Sequence, residues 1–167
     1  INQLNLSRIQ SVILVARGNS DNAALFLKYL IETKVGIPCG LASPSVVTIY
    51  KSKLKLTNSL VIAVSQSGQS PDIISYTNAA KAGGAVTLSM TNDPSSPLAK
   101  ATDLHLYIEA GIEKAVAATK SYSAQLLLSY IFVSIWVNEK IDLSKLIKET
   151  KVQVDNISVV EKVADDF

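Results

Sequence analysis

Residues 65–72 read SQSGQSPD, between the apolar run SLVIAV and an amphipathic stretch. The hydroxyls of Ser65, Ser67 and Ser70 and the amide of Gln66 are neutral hydrogen-bond donors crowded into a short loop. Gly68 allows a positive φ and a close backbone approach. Ser70 is placed to cap a helix starting at Pro71, whose missing N–H costs nothing in a first turn. Free N–H groups at a helix start, with the positive end of the dipole, attract an anion. The loop holds no lysine and the pattern G-x-x-x-x-G-K-[ST] is missing, so a nucleoside triphosphate is disfavoured and one phosphate monoester fits better. Ser65, Gln66, Ser67 and Ser70 are therefore the candidate phosphate ligands. Asp72 works against this, because a carboxylate in the first turn competes for the same dipole; it has to point away from the anion. Without a ligand, the segment is an ordinary strand-to-helix turn.

Two further polar clusters follow apolar runs. In ARGNSDN (16–22), Gly18 permits a tight turn, while Asn19 and Ser20 bring short polar groups to a helix start. Ser20 is the candidate N-cap there, and capping alone accounts for the cluster about as well as binding does. G-x-G-x-x-G is absent, so a dinucleotide is not expected. In GIEKAVAATKSY (111–122), Glu113, Thr119 and Lys120 surround the small residues AVAAT. Lys120 is either a cationic ligand or a solvated lysine at a helix start. His105 lies inside DLHLYI, where a packed or hydrogen-bonded side chain is the expected role. Neither a metal nor a cofactor is expected.

These clusters need a scaffold. Short apolar runs at 11–16, 59–64, 85–90 and 103–108, with a weaker one at 36–42, read as five strands. Helical patterns fill 21–34, 44–52, 71–83, about 119–138 and about 142 onward, with a short helical segment inside 92–101. The first has Leu25, Leu27, Tyr29, Leu30 and Ile31 on a broad apolar face, and the second has Ser43 at its cap. Alternation of charge-poor strands with helices predicts an α/β three-layer sandwich around a parallel sheet. Ligands of such folds sit beyond the carboxyl ends of the strands. All three polar clusters fall there.

Composition narrows the partners. The chain has 167 residues, with 16 Lys and Arg against 14 Asp and Glu, and its basic residues are scattered, so nucleic acid is a poor partner. A single cysteine, Cys39, excludes an internal disulfide, fits a reducing compartment and reads as a small buried hydrophobe. INQLNLSRIQ has no apolar segment of secretory type, and the expected location is the cytoplasm. Residues 121–138 are uncharged over nearly the length of a membrane span, yet four Ser, one Gln and one Asn interrupt them. A buried helix, and no membrane, is expected.

Together these segments resemble the sugar isomerase (SIS) domain family. SQSGQSPD is similar to its serine-rich loop S-x-S-G-x-[ST], and ARGNSDNAA to its glycine-containing loop after strand one. EKAVAATKSYSAQ resembles the segment E-x-x-V-A-[ST]-T-K-x-[FY]-x-x-Q of glucosamine-6-phosphate synthase isomerase domains. The likeness runs from about Val12 to Trp136. It implies a flavodoxin-like, doubly wound five-stranded sheet. It implies that Ser65, Gln66, Ser67 and Ser70 hold a sugar phosphate such as glucosamine-6-phosphate or fructose-6-phosphate. Gly18, Asn19, Ser20, Val116 and Ala117 would line the sugar. Gln69 departs from an acidic residue and Ala118 from a small hydroxyl residue.

The resemblance also sets expectations for the whole protein. Residues 1–140 are expected to be a phosphosugar-binding domain, and 141–167 a helical extension leading to a missing second SIS half, since the chain lacks an initial Met and stops at VVEKVADDF. The implied function is the first half of an aminosugar-phosphate isomerase or deaminase; the alternative is a phosphosugar sensor in a transcriptional regulator. The family's ring-opening His, acid–base Glu and catalytic Lys belong mainly to the second half. The catalytic residues are therefore unknown, with Glu113 and Lys120 the candidates on this chain. Leu126, Leu127, Tyr130, Ile131, Ile135 and Trp136 are more apolar surface than a small sheet covers, so a homodimer or pairing with a second SIS half is expected.

Overall fold

The computed structural model describes residues 6–114 and 118–155. Five parallel strands form the centre: β1 (Ser11–Val15), β2 (Cys39–Leu41), β3 (Ser59–Ser65), β4 (Val86–Thr91) and β5 (Leu104–Tyr107). Their spatial order is β2-β1-β3-β4-β5. The helices are α1 (Asn19–Leu30), α2 (Ser45–Thr48), α3 (Pro71–Ala82), α4 (Pro97–Ala101), α5 (Lys120–Trp136) and α6 (Leu143–Asp155). This is the expected doubly wound sheet. Strand order reverses between β1 and β3, which opens a crevice where both strands end.

All seven residues of β3 are buried, because this strand is covered on both faces. Leu60, Ile62 and Val64 join Leu14, Leu27, Ile31, Met90 and Phe132 in one core layer, toward α1 and α5. Val61 and Ala63 face the other way, onto Ile73, Tyr76, Ala80 and Leu98 of α3 and α4. Each fully buried large aliphatic contributes roughly 1.5–3 kcal/mol. Cys39 belongs to the first layer, and burial pushes its thiol up to about 12, so it packs as a hydrophobe.

Three local expectations change. Helix α1 starts at Asn19 with Gly18 (φ 61°) in the cap position, so Ser20 lies inside the first turn rather than at the cap. Its buried face is Ser20, Ala23, Ala24 and Leu27, with Ile31 following in a π-helical turn, whereas Leu25 and Tyr29 are 41% and 62% exposed. That stripe keeps i, i+3, i+4 spacing from the true helix start. Leu27, Leu30 and Ile31 of the expected face do pack in the core, and only its Leu25 and Tyr29 edge turns outward. Helix α2 spans only Ser45–Thr48, with Pro44 rather than Ser43 in the cap position.

Helix α5 turns small polar residues inward. Ser121, Gln125, Ser129, Phe132, Val133 and Ser134 are buried, while Leu127 and Ile135 are exposed. It packs against α1, whose buried face includes Ser20, Ala23 and Ala24, and small side chains let two helix backbones approach closely. Among the described residues no helix is long and apolar enough to cross a membrane.

Candidate functional site

The crevice is a cavity of about 370 Å³ between the exits of β1 and β3. Ser65, Gln66, Ser67 and Ser70 form one wall, and Gly18, Asn19 and Ser20 the other. The two clusters predicted from separate stretches of sequence therefore converge. Val116 and Ala117 lie outside the described residues; Ala118, beside them, lines the cavity. Glu113 and Lys120 are not on its wall.

The serine loop is held from below. Its Gln66 carbonyl accepts from the Asn92 N–H at 3.0 Å, and its Gly68 carbonyl from the Leu98 N–H at 3.1 Å. Gly68 has φ 63°, and a Cβ there would stand 2.3 Å from Ser96 Oγ. Only glycine fits both the backbone conformation and the space. Inside the loop, the Gly68 N–H donates to Ser65 Oγ (3.1 Å) and the Gln69 N–H to Ser67 Oγ (3.3 Å). An oxygen that accepts in this way keeps its own hydrogen for another acceptor. A rigid loop of oriented donors gives up little entropy on binding.

Ser70 takes the N-cap position of α3, in extended conformation and before Pro71, but its side chain makes no capping hydrogen bond. Asp72 does not line the cavity. Its Oδ1 accepts from the Ile73 N–H at 2.9 Å, and its Oδ2 lies 3.5 Å from Arg17 Nε. Arg17 also lines the cavity, and sequence reasoning passed over it. Its signal was its place two residues after β1 and just before Gly18, in the loop already singled out. The guanidinium offsets the carboxylate that would otherwise oppose an anion at the start of α3.

The third cluster approaches from the far side. Asn19 Nδ2 donates to the Ala118 carbonyl at 3.1 Å, which ties the β1 loop to the stretch before α5. Glu113 Oε2 accepts from the Thr119 N–H, the Ser121 N–H and the Ser121 hydroxyl, at 3.1, 3.1 and 3.0 Å. A carboxylate at the positive end of a helix satisfies orphan N–H groups, so Glu113 caps α5 from outside it. His105 Nε2 is 2.9 Å from Thr91 Oγ1, which itself donates to the Asp93 carbonyl. Thr91 is thus the acceptor and His105 carries its proton on Nε2. Burial lowers the His105 pKa, against the opposing effects of a hydrogen bond to the Thr91 backbone and of the Asp93 charge. The imidazole is a hydrogen-bonded strand side chain, as expected.

Known proteins share this fold. The glutamine–fructose-6-phosphate aminotransferase of Clostridium acetobutylicum is 33% identical over 165 residues, covering 99% of this chain but 27% of that protein. Among solved structures, a chain from Silicibacter pomeroyi, provisionally named a phosphosugar isomerase, matches with a TM-score of 0.78 and 38% identity, over 81% of this chain and 42% of that one. The C-terminal domain of the glucosamine-fructose-6-phosphate aminotransferase of Francisella tularensis matches with a TM-score of 0.73 and 28% identity, over 91% and 43%. The chain spans about a quarter of the length of such curated relatives. The SIS domain model matches residues 5–135, and the chain belongs to the SIS domain family.

Proposed function

We propose that the crevice between β1 and β3 binds a sugar phosphate, with glucosamine-6-phosphate or fructose-6-phosphate as the probes of choice. The single observation behind this reading is the set of serine hydroxyls gathered where α3 begins. Ser65 and Ser67 accept from the loop's own N–H groups, which leaves their hydrogens to donate, and the Ser70 hydroxyl is not taken up in capping. A phosphate monoester there meets neutral donors and the positive end of α3, with Arg17 at the rim. Gly18, Asn19 and Ser20 would face the sugar. With Nδ2 on Ala118, Asn19 keeps its Oδ1 as an acceptor for a sugar hydroxyl or amine.

The protein would act as one half of an aminosugar-phosphate isomerase or deaminase, contributing binding while a second SIS half supplies proton transfer. Glu113 serves that site by fixing α5 and the stretch before it. The exposed Leu127 and Ile135 favour a partner helix, from a second copy or a second half. Calorimetric titration of the two sugar phosphates and of unphosphorylated glucosamine tests the reading. Binding of the phosphates alone supports it, and equal affinity for sugar and sugar phosphate sinks it. Sedimentation at tens of micromolar tests association; a pure monomer counts against the helix pairing.

A further inference from the structure

Ser20 repeats the pattern of Ser65 and Ser67 with one difference. Its Oγ accepts not from nearby backbone but from Gln125 Nε2, at 3.1 Å and 105 positions away on α5. Gln125 is 2% exposed and Ser20 7%, so bulk solvent competes little for this bond. A hydroxyl has one hydrogen, and Ser20, accepting from Gln125, directs that hydrogen elsewhere. Ser20 lies on the cavity wall, in the first turn of α1, while the phosphate donors gather at the start of α3. The part of the ligand that Ser20 meets is thus its sugar end.

Resting on the reading of the crevice as a phosphosugar site, we propose that Gln125 is a positioning residue that sets Ser20 as a hydrogen-bond donor. The wall then selects sugars that present an acceptor oxygen, carbonyl or hydroxyl, to the start of α1. Gln125 touches no ligand itself. Its effect on affinity passes through Ser20 and falls on the sugar, leaving the phosphate alone.

The test is a double-mutant cycle by calorimetry with two probes, fructose-6-phosphate and inorganic phosphate. Ser20→Ala and Gln125→Met should each weaken fructose-6-phosphate about tenfold, the scale of one lost hydrogen bond. Affinity for inorganic phosphate should not change, and the double variant should bind no more weakly than Ser20→Ala. Should Gln125→Met cost the same factor in the Ser20→Ala background, or weaken inorganic phosphate equally, the residue only supports packing and the proposal falls. Gln125→Glu keeps the shape but accepts instead of donating once ionised. Its fructose-6-phosphate affinity should drop as pH rises through that ionisation, and a pH profile parallel to wild type overturns the donor assignment. Two controls separate this idea from the site reading. A wild type that binds neither probe defeats the site, and with it the ligand role of Ser20. The side-chain amide NMR signal of Gln125 should still shift in Ser20→Ala without any ligand, and an unmoved signal removes the bond itself.

Discussion

The two ends of the sheet use the same residue types to opposite purpose. Where the strands begin, polar side chains find each other. The hydroxyls of Ser11 and Ser59 lie 2.9 Å apart, and Asp103 Oδ2 accepts from the N–H and hydroxyl of Thr87 at 2.9 and 2.7 Å. Lys81 closes that group with a 2.6 Å contact to Asp103 Oδ1. Where β1 and β3 end, Ser20, Ser65 and Ser67 accept from the protein and keep their hydrogens, while Ser70 makes no capping bond at all. Polar groups that pair internally stabilise the fold; donors left pointing into a crevice wait for something else. Mutations at one end should therefore move stability, and at the other affinity.

The largest effect should come where the two purposes meet. Gly68→Ala places a Cβ 2.3 Å from Ser96 Oγ at a φ of +63°, adding left-handed strain to a clash. Together these should cost about 3 kcal/mol of stability, seen as a lowered thermal midpoint, and should abolish sugar-phosphate binding. Gly68→Ala that melts like wild type would mean that the loop is not braced.

Ser67→Ala tests the crevice alone. It should weaken phosphosugar binding by about 1.5–3 kcal/mol, roughly tenfold to more than a hundredfold, with unchanged thermal unfolding. Normal affinity would reduce the loop to a turn. Its counterpart at the other end is Asp103→Ala, expected to cost about 1 kcal/mol of stability, discounted for partial exposure, with affinity intact.

That second effect carries a pH signature. Hydrogen bonds from Lys81 and Thr87 hold the Asp103 carboxyl below its usual range, outweighing the burial that alone would raise it. A depressed pKa means stability that is present above the unfolded carboxylate value of about 4 and lost as pH falls through the folded value. Urea unfolding of wild type and Asp103→Ala should thus differ at neutral pH and converge in acid. A gap that persists in acid would assign the loss to packing.

The two smallest predictions sharpen the reading of α3. Asp72→Asn removes a carboxylate from its first turn, so phosphosugar affinity should rise by about 0.3–1 kcal/mol, measurable by titration at low salt. Ser70→Ala should shift stability by less than about 0.5 kcal/mol, since no cap bond is lost, while affinity falls. A cost near 1 kcal/mol, the usual value of an N-cap, would show that the hydroxyl does cap.

The sequence by itself determined much of this protein. Buried β-branched runs, helical periods and Gly and Pro at turns act over a few residues, so the five strands and the parallel α/β class were legible from spacing. So was the serine loop, because strand, glycine and Pro71 are neighbours in the chain. Local reading erred where a phase or a cap depended on packing: Leu25 and Tyr29 of α1 face outward, Gly18 takes the cap there, and Ser70 holds the expected cap position without a side-chain bond. Tertiary structure alone decided that the loops after β1 and β3 share one cavity, because that requires the strand order to reverse between them. It alone paired Arg17 with Asp72, Asn19 with Ala118 and Gln125 with Ser20. Contacts across 99 or 105 positions leave no mark in local spacing, since any chain segment delivered to that place by the sheet can make them.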